Sequence, residues 1–400
     1  MRISTSTIFD LGVQALQRNQ ANAVKTQQEI STGRRILTPA DDPIASAQAL
    51  QVSQADGVNT QLGVNRSQAQ SQLQVSEASL KQVGDLIQSI RERVVAAGDG
   101  ALSGSDLKSI AADVSAMYEE LVGVGNATDG AGNYLFSGFQ GSTLPFVRNA
   151  AGTVQFVGDD GQRLAQVGAS RQVASNVSGA DVFERIRTGN GTFTWAAAGA
   201  NTGSGIIGPG TVVNPALVTG HNYQITFTVA AGVTTYDVVD TTTATPVLTA
   251  QPYAAPSTAI AFDGISVNIE GSPANGDGFS VSPSTSQSVF TTVQNLVAAL
   301  NGNGGTPLAN SLGVGLTNLD QALNQVLGQR ALIGSHLKEI DSLGSAGDDL
   351  GLQYKSQISK LQDVDYAKAI SDLTLEQTNL EAARQSFLKI TQTTLFDYLR

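Results

Sequence analysis

The chain contains no cysteine. Disulfides, thiolate metal sites and cysteine nucleophiles are therefore excluded together. It is also poor in charge. Asp, Glu, Lys and Arg make up 14% of 400 residues, and their balance is −11. That acidic surplus argues against a nucleic-acid partner. Only two histidines occur, His221 and His336, and nothing in the sequence clusters with either. A metal site would need several converging ligands, so none is expected. No run of ~20 apolar residues exists, so no membrane insertion is expected. The opening Met1-Arg2-Ile3-Ser4-Thr5 leads into an amphipathic segment without the apolar core of a signal peptide. Any export is expected to proceed without a cleaved signal peptide. Gly123-Val124-Gly125 and the glycines at 302–305 lack phosphate-loop spacing. Asp41-Asp42 and Asp159-Asp160 are read as caps and turns, not as acid–base pairs. No catalytic residue, cofactor or metal is expected, and the chain is read as a non-enzyme.

What the sequence does have is apolar periodicity at its two ends. Tyr366, Leu373, Leu380 and Phe387 fall at seven-residue intervals. Ile370, Ala383 and Ile390 sit three or four positions from members of that series, and Phe396 keeps the end apolar. This is the stripe a coiled coil needs. Phe9, Leu16, Ala23 and Ile30 repeat the interval near the start, with Val13 between the first two. A thin stripe on a Gln/Asn-rich helix is marginal alone, so both ends are expected to bind partners.

Between the ends the chain reads helix, β, helix. A first helix over residues 5–32 stops at Gly33. Asp42-Pro43 starts a second, as an N-cap followed by proline at the first helical position. That helix continues to about Ala97 through Leu62, Ala69, Leu73, Leu80, Val83, Ile87, Ile90 and Val94, roughly 80 Å at ~1.5 Å per residue. Ser105 is the expected cap of a third helix. Residues 188–284 are low in charge and alternate as β-strands do, as in Tyr223-Gln224-Ile225-Thr226-Phe227-Thr228-Val229. Residues 196–216, rich in Gly and Ala, are read as a loop. Helices resume at Ser286, and a further stripe runs from Leu312 to Ile340, broken at Arg330. The register shifts at Asp363-Val364-Asp365-Tyr366. The fold class expected is α+β, elongated and multi-domain. Long antiparallel helices from the N- and C-terminal halves are expected to form a coiled coil, with an inserted, mainly antiparallel β domain. The expected divisions are terminal helices at 1–40 and 366–400, a helical rod domain with small hairpins at 41–187 and 286–365, and a β domain at 188–285.

Several stretches carry a resemblance. The run from Ser31-Thr32-Gly33-Arg34 to Asp41-Asp42-Pro43 resembles the flagellin superfamily, and the opening Met1-Arg2-Ile3-Ser4-Thr5 resembles the narrower family within it to which the next motifs point. Asn133-Tyr134-Leu135-Phe136-Ser137-Gly138, Gly158-Asp159-Asp160-Gly161-Gln162-Arg163, Gly276-Asp277-Gly278-Phe279-Ser280-Val281 and Ser286-Gln287-Ser288-Val289-Phe290 narrow it. They resemble the flagellar hook-associated proteins of the third type, the hook–filament junction proteins. Asp365-Tyr366-Ala367, Leu380-Glu381-Ala382-Ala383 and Leu395-Phe396-Asp397-Tyr398-Leu399 match the closing helix of that family.

The resemblance implies a structural subunit of the bacterial flagellum, secreted through the type III export apparatus after a cytoplasmic chaperone has held it. It implies terminal helices in the inner wall of a tube and a β domain facing outward. The implied partners are neighbouring copies, another hook-associated protein and flagellin. Two other readings stay open on the residues alone: a filament flagellin, and a secreted coiled-coil adhesin whose β insert binds a surface ligand.

Overall fold

The computed structural model describes residues 5–302 and 304–392. They form two compact units, one made of residues 1–64 and 342–400, the other of residues 65–341. Six helices are present: α1 (Thr5–Thr32), α2 (Pro43–Ala97), α3 (Gly104–Gly125), α4 (Val289–Leu300), α5 (Thr306–Gln362) and α6 (Tyr366–Gln392). The chain is helical at both ends with an antiparallel β domain inserted between, as its periodicities predict.

The first unit contains α1, the start of α2, the end of α5 and α6. Gly33 terminates α1 in the left-handed region at φ 69°. Asp42 caps α2 by accepting from Ala45 N–H at 3.0 Å. Both breaks in the helical run meet in space. Val364 N–H donates to Gly33 O at 2.9 Å, and Arg35 N–H donates to Gln362 O at 2.7 Å. Arg35 Nη2 adds a bond to Leu361 O at 2.9 Å. The register shift at 363–365 is thus a real interruption, clasped to the turn after α1. Asp41 locks that turn. It accepts from Lys25 Nζ at 2.7 Å and from Thr38 N–H at 2.7 Å. The Lys25 bond, with the Thr38 donors, holds its carboxyl well below the usual carboxylate range.

The second unit has a helical part and a β part. Leu73, Leu80, Val83, Ile87, Ile90 and Val94 of α2 are buried, as are Leu312, Leu319, Val326, Ile333 and Ile340 of α5. The break in the α5 stripe at Arg330 is an ion pair with Glu77 at 2.7 Å, both about a third exposed. Ser103, not Ser105, caps α3. Ser103 Oγ accepts from Asp106 N–H at 3.3 Å while Asp106 accepts from Ser103 N–H at 3.0 Å. A reciprocal box of this kind needs an acid three residues after the cap, and Asp106 stands in that relation to Ser103 alone.

Short hairpins follow α3: β1 (Phe146–Arg148) with β2 (Val154–Phe156), and β3 (Leu164–Gln166) with β4 (Gln172–Ala174). A π-helical turn, Ala180–Glu184, then leads to β5 (Ile186–Arg187). Here two of the quoted motifs converge, those that carry Phe136 and Phe290. Phe136, Phe146, Phe183 and Phe290 form one aromatic cluster, with Phe183 stacked on Phe290 at 5.5 Å and edge-on to Phe136 at 5.3 Å. Phe146 lies 5.0 Å from both Phe183 and Phe290. All four are buried.

The β part is a two-sheet antiparallel sandwich. Its strands are β6 (Phe193–Ala197), β7 (Ile206–Ile207), β8 (Thr211–Val212), β9 (Tyr223–Ala230), β10 (Val233–Asp240), β11 (Thr245–Pro252), β12 (Ser257–Phe262), β13 (Ile265–Glu270) and β14 (Gly278–Pro283). One sheet has the order β11-β10-β9-β14-β6; the other joins β12, β13 and β7, with β8 also on β13. Alternate residues such as Tyr223, Ile225 and Phe227, or Ile265, Val267 and Ile269, point into a shared core. Two expectations are corrected. Residues 196–216 are not only loop, because Ile206–Ile207 and Thr211–Val212 pair with β13. Ser286 does not open a helix: Ser286–Gln287 is a strand, β15, paired with β5, and Ser288 caps α4 by accepting from Phe290 N–H at 3.2 Å. α5 also begins at Thr306, before the first residue of its stripe.

The aromatic cluster should dominate the second unit's stability. Phe183→Ala is expected to cost about 3–5 kcal/mol, the range for truncating a fully buried phenylalanine, read as a lower urea midpoint at unchanged slope.

Candidate subunit interface

The two end stripes meet each other. α1 and α6 pack antiparallel, with Phe9 against Phe387 (ring centroids 5.1 Å apart) at one end and Gly33 against the Tyr366 hydroxyl at the other. Val13, Leu16, Ala23 and Ile30 of α1 are half-buried, and so are Leu373, Leu380, Ala383 and Phe387 of α6. The seam is thin: among the described side chains of α6 only Ala369 is buried outright. Gly12 lets the helices approach, since a Cβ there would stand 2.8 Å from the Phe387 ring.

The inner face of α6 runs through Ala369, Leu373, Glu376, Leu380, Ala383 and Phe387. Counting three on from Tyr366 and Leu373 gives Ala369 and Glu376, so the spacing does contain them. Neither stands out as a stripe member in the sequence, because one is small and the other charged. Glu376 Oε2 is buried and has no hydrogen-bond partner among the described residues. With Thr26, Arg35 and Lys368 it lines a cavity of about 280 Å³.

Other members of the series lie elsewhere. Phe9, Tyr366 and Ile370 are 50%, 52% and 55% exposed. Ile370 stands one position round the helix from the inner face and is not covered by the described residues. Ile390 belongs to α6, but its side chain lies outside the described residues, and Phe396 lies outside them altogether. Further apolar side chains face outward on the same unit, among them Leu11, Val24, Leu375 and Leu388 on the pair, and Ile44, Leu50, Val58 and Leu352 on α2 and α5.

Among the described residues no three His, Asp or Glu side chains converge on a metal-sized space, and no helix is long and apolar enough to cross a membrane. His221 does have a partner, which the sequence did not disclose. Its Nδ1 lies 2.6 Å from Asp240 Oδ2, at the end of the adjacent strands β9 and β10. Burial raises the Asp240 carboxyl, but His221 and the Thr243 and Thr242 donors outweigh it and hold it at about 2. Asp159 and Asp160 serve turns and side chains. Asp159 accepts from Phe139 and Gly161 N–H, and Asp160 accepts from Ser178 and pairs with Arg185.

A paired-terminus helical unit carrying an inserted β domain defines a flagellin-type structural subunit. The bacterial flagellin N-terminal helical region matches residues 3–141 and its C-terminal helical region residues 316–399. The insert, at residues 197–283, matches a D2-like domain of flagellar hook-associated protein 1. Flagellar hook-associated protein 3 of Salmonella typhimurium is 27% identical over 406 residues, covering 100% of both chains. The crystal structure of the hook-associated protein 3 of Legionella pneumophila is 30% identical, with a TM-score of 0.74 over 78% of this chain and 98% of that one. A structure described as the flagellar junction protein FlgL of the same organism gives 29% identity and 0.73 over 79% and 100%. The chain belongs to the flagellar hook-associated protein 3 family. It is a structural component of the flagellum and not an enzyme.

Two outcomes are expected from this geometry. Gly12→Leu should separate α1 from α6 at their Phe387 end, seen as lost cross-linking between cysteines placed at Gln14 and Arg384. Asp240 is depressed in the folded state, so its stabilisation is present above the ordinary 3.8 and is lost as pH falls through about 2. Asp240→Asn should flatten acid unfolding in that window, followed by Trp195 fluorescence.

Proposed function

We propose that this chain joins the hook to the filament, with its α1–α6 pair as the contact surface. Its neighbours would be copies of itself, a second hook-associated protein on the hook side and flagellin on the filament side. An export chaperone would hold it before secretion through the flagellar apparatus. The terminal helices, residues 1–40 and 366–400, would form the inner wall. Residues 41–187 and 286–365 would pack around it, and residues 188–285 would face outward.

One observation carries this reading. The intrachain seam uses only the narrow inner face of each terminal helix, and large apolar side chains remain on the outer faces. Full burial of a Leu, Ile or Phe side chain stabilises by about 1.5–3 kcal/mol. A side chain left half exposed retains on the order of 1 kcal/mol for a neighbour to supply. Phe9, Tyr366 and Ile370 are such residues, and Leu11, Val24, Leu375 and Leu388 extend the surface. Inner-face residues Val13, Leu16, Ala23, Ile30, Leu373, Leu380 and Phe387 would hold the pair that presents them. Ile390 and Phe396 are assigned to the same surface from the spacing of the stripe. The match of the insert to a hook-associated domain favours the junction over the filament itself.

Ile370→Asp is expected to leave monomer stability within about 0.5 kcal/mol, as exposed substitutions do, and to block assembly by placing a charge in a packed contact. Leu380→Asp should break the pair and block assembly while sparing export. Tubes assembled from either variant would remove the surface from the proposal. A deletion strain should carry hooks without filaments and release unpolymerised flagellin. Long filaments on its hooks would overturn the junction reading.

A further inference from the structure

One acid in the second unit stands without a cation. Glu184 ends the π-helical turn Ala180–Glu184, next to Phe183 of the aromatic cluster. An i→i+5 bond, from Arg185 N–H to Ala180 O at 2.9 Å, closes that turn. Turns of this kind are rare and frequently sit at functional sites. Glu184 is half-buried, and its Oε1 is buried with no hydrogen-bond donor among the described residues. Ser288 is the one side chain that offers the carboxyl a hydrogen bond. The same hydroxyl caps α4, accepting from Phe290 N–H at 3.2 Å.

The elements packed against the turn bring no free charge to Glu184. α4 has no charged residue. Arg185 pairs with Asp181 at 2.6 Å and with Asp160. Arg187 of β5 donates to Ser284 O at 3.2 Å. α5 reaches the turn with a neutral amide, Gln325 Nε2, which donates to Asp181 O at 2.6 Å. The loop after α3 and strand β1 present Phe136 and Phe146. α3 presents Tyr118, edge-on to Phe290, and burial holds its phenol above the ordinary 10. A carboxylate in this setting loses water and gains no cation. Burial outweighs Ser288 and pushes the Glu184 carboxyl above its ordinary 4.5.

We propose that Glu184 is a proton-operated latch in the second unit. Protonated, it lies inside and the π-helical turn closes on α4. Ionised, it draws the turn outward to water and loosens the aromatic cluster from that side. The latch belongs to the fold and does not depend on the junction reading. Its sign is opposite to that of Asp240. A group raised in the folded state contributes stability that is fully present below its unfolded value and is lost as pH rises through its folded one. The second unit should therefore weaken as pH rises from 4.5, a window in which Asp240, held at about 2, stays ionised.

The full-length protein and Glu184→Gln are unfolded in urea over a pH series from 4.5 to above neutrality, followed by Trp195 emission. Both proteins carry His221 and His336, so their difference isolates Glu184. The difference in midpoint should be smallest at the acid end, and wild type should fall progressively below Glu184→Gln as pH rises. At the upper pH, hydrogen exchange at the Val182 and Arg185 amides should be several-fold faster in wild type than in Glu184→Gln. In carboxyl NMR spectra of glutamate-labelled wild type, one resonance should titrate above the rest, identified by its loss in Glu184→Asp. That arm stands even if Glu184→Gln folds poorly. A midpoint difference that does not change with pH overturns the latch, as does a Glu184 carboxyl that titrates with the others. Equal exchange at the turn overturns it too, because the acid would then titrate without the turn moving.

Discussion

Two short main-chain hydrogen bonds hold residues more than 300 positions apart: Val364 N–H on Gly33 O and Arg35 N–H on Gln362 O. They fix where α1 must meet α6, and hence the phase of every later contact along the pair. Gly33 can sit there because its φ of 69° is open to glycine at little cost. Asp41 and Asp42 hold the turn from the other side, one by accepting from Thr38 and Lys25, the other by capping α2. The acidic pair is therefore structural, and its position beside the clasp explains why the stretch from Ser31 to Pro43 is so dense in turn-forming residues.

From this clasp the thinness of the terminal pair follows. α1 is rich in glutamine and asparagine, and only one residue in seven is reliably apolar on its inner side. Two such helices can pair but cannot bury much between them. Isolated helices gain most of their stability from packing an apolar face, so a pair of this kind is marginal by itself. The outward Leu11, Val24, Ile370 and Leu375 are a liability in a free molecule and useful in a polymer.

The second unit solves a different problem. Its helical part is tied by four phenylalanines drawn from a loop, a hairpin, a π-helical turn and α4. Edge-to-face and offset contacts at 5.0–5.5 Å let rings from such irregular segments pack without a regular element beneath them. The motif around Asn133–Phe139 and the one around Ser286–Phe290 thus share a cause: each delivers a ring to the same point. Asn310 and Asn318 of α5 hold the β part directly, accepting from Ile207 N–H of β7 and from Gly189 N–H.

Local chemistry was legible in the residues themselves. Asp42-Pro43 announced the start of α2, Gly33 the end of α1, and strict alternation marked β9 and β13, because caps, positive φ and the two-residue pleat act within a few positions. The absence of converging polar groups already argued against catalysis. What stayed hidden depends on partners distant in sequence. Ser103 rather than Ser105 caps α3 because Asp106 completes a box with it. Ser286 joins a strand because β5 lies beside it, and a strand exists only where its partner does. His221 meets Asp240 across a sheet end. On α6 the spacing gave the inner stripe of Leu373, Leu380, Ala383 and Phe387 but not Ala369 and Glu376, which the pair also turns inward, and it placed on that stripe Ile370, which the structure leaves exposed. Periodicity along one helix fixes which residues share a face, whereas the direction that face looks is set by what the rest of the chain places against it.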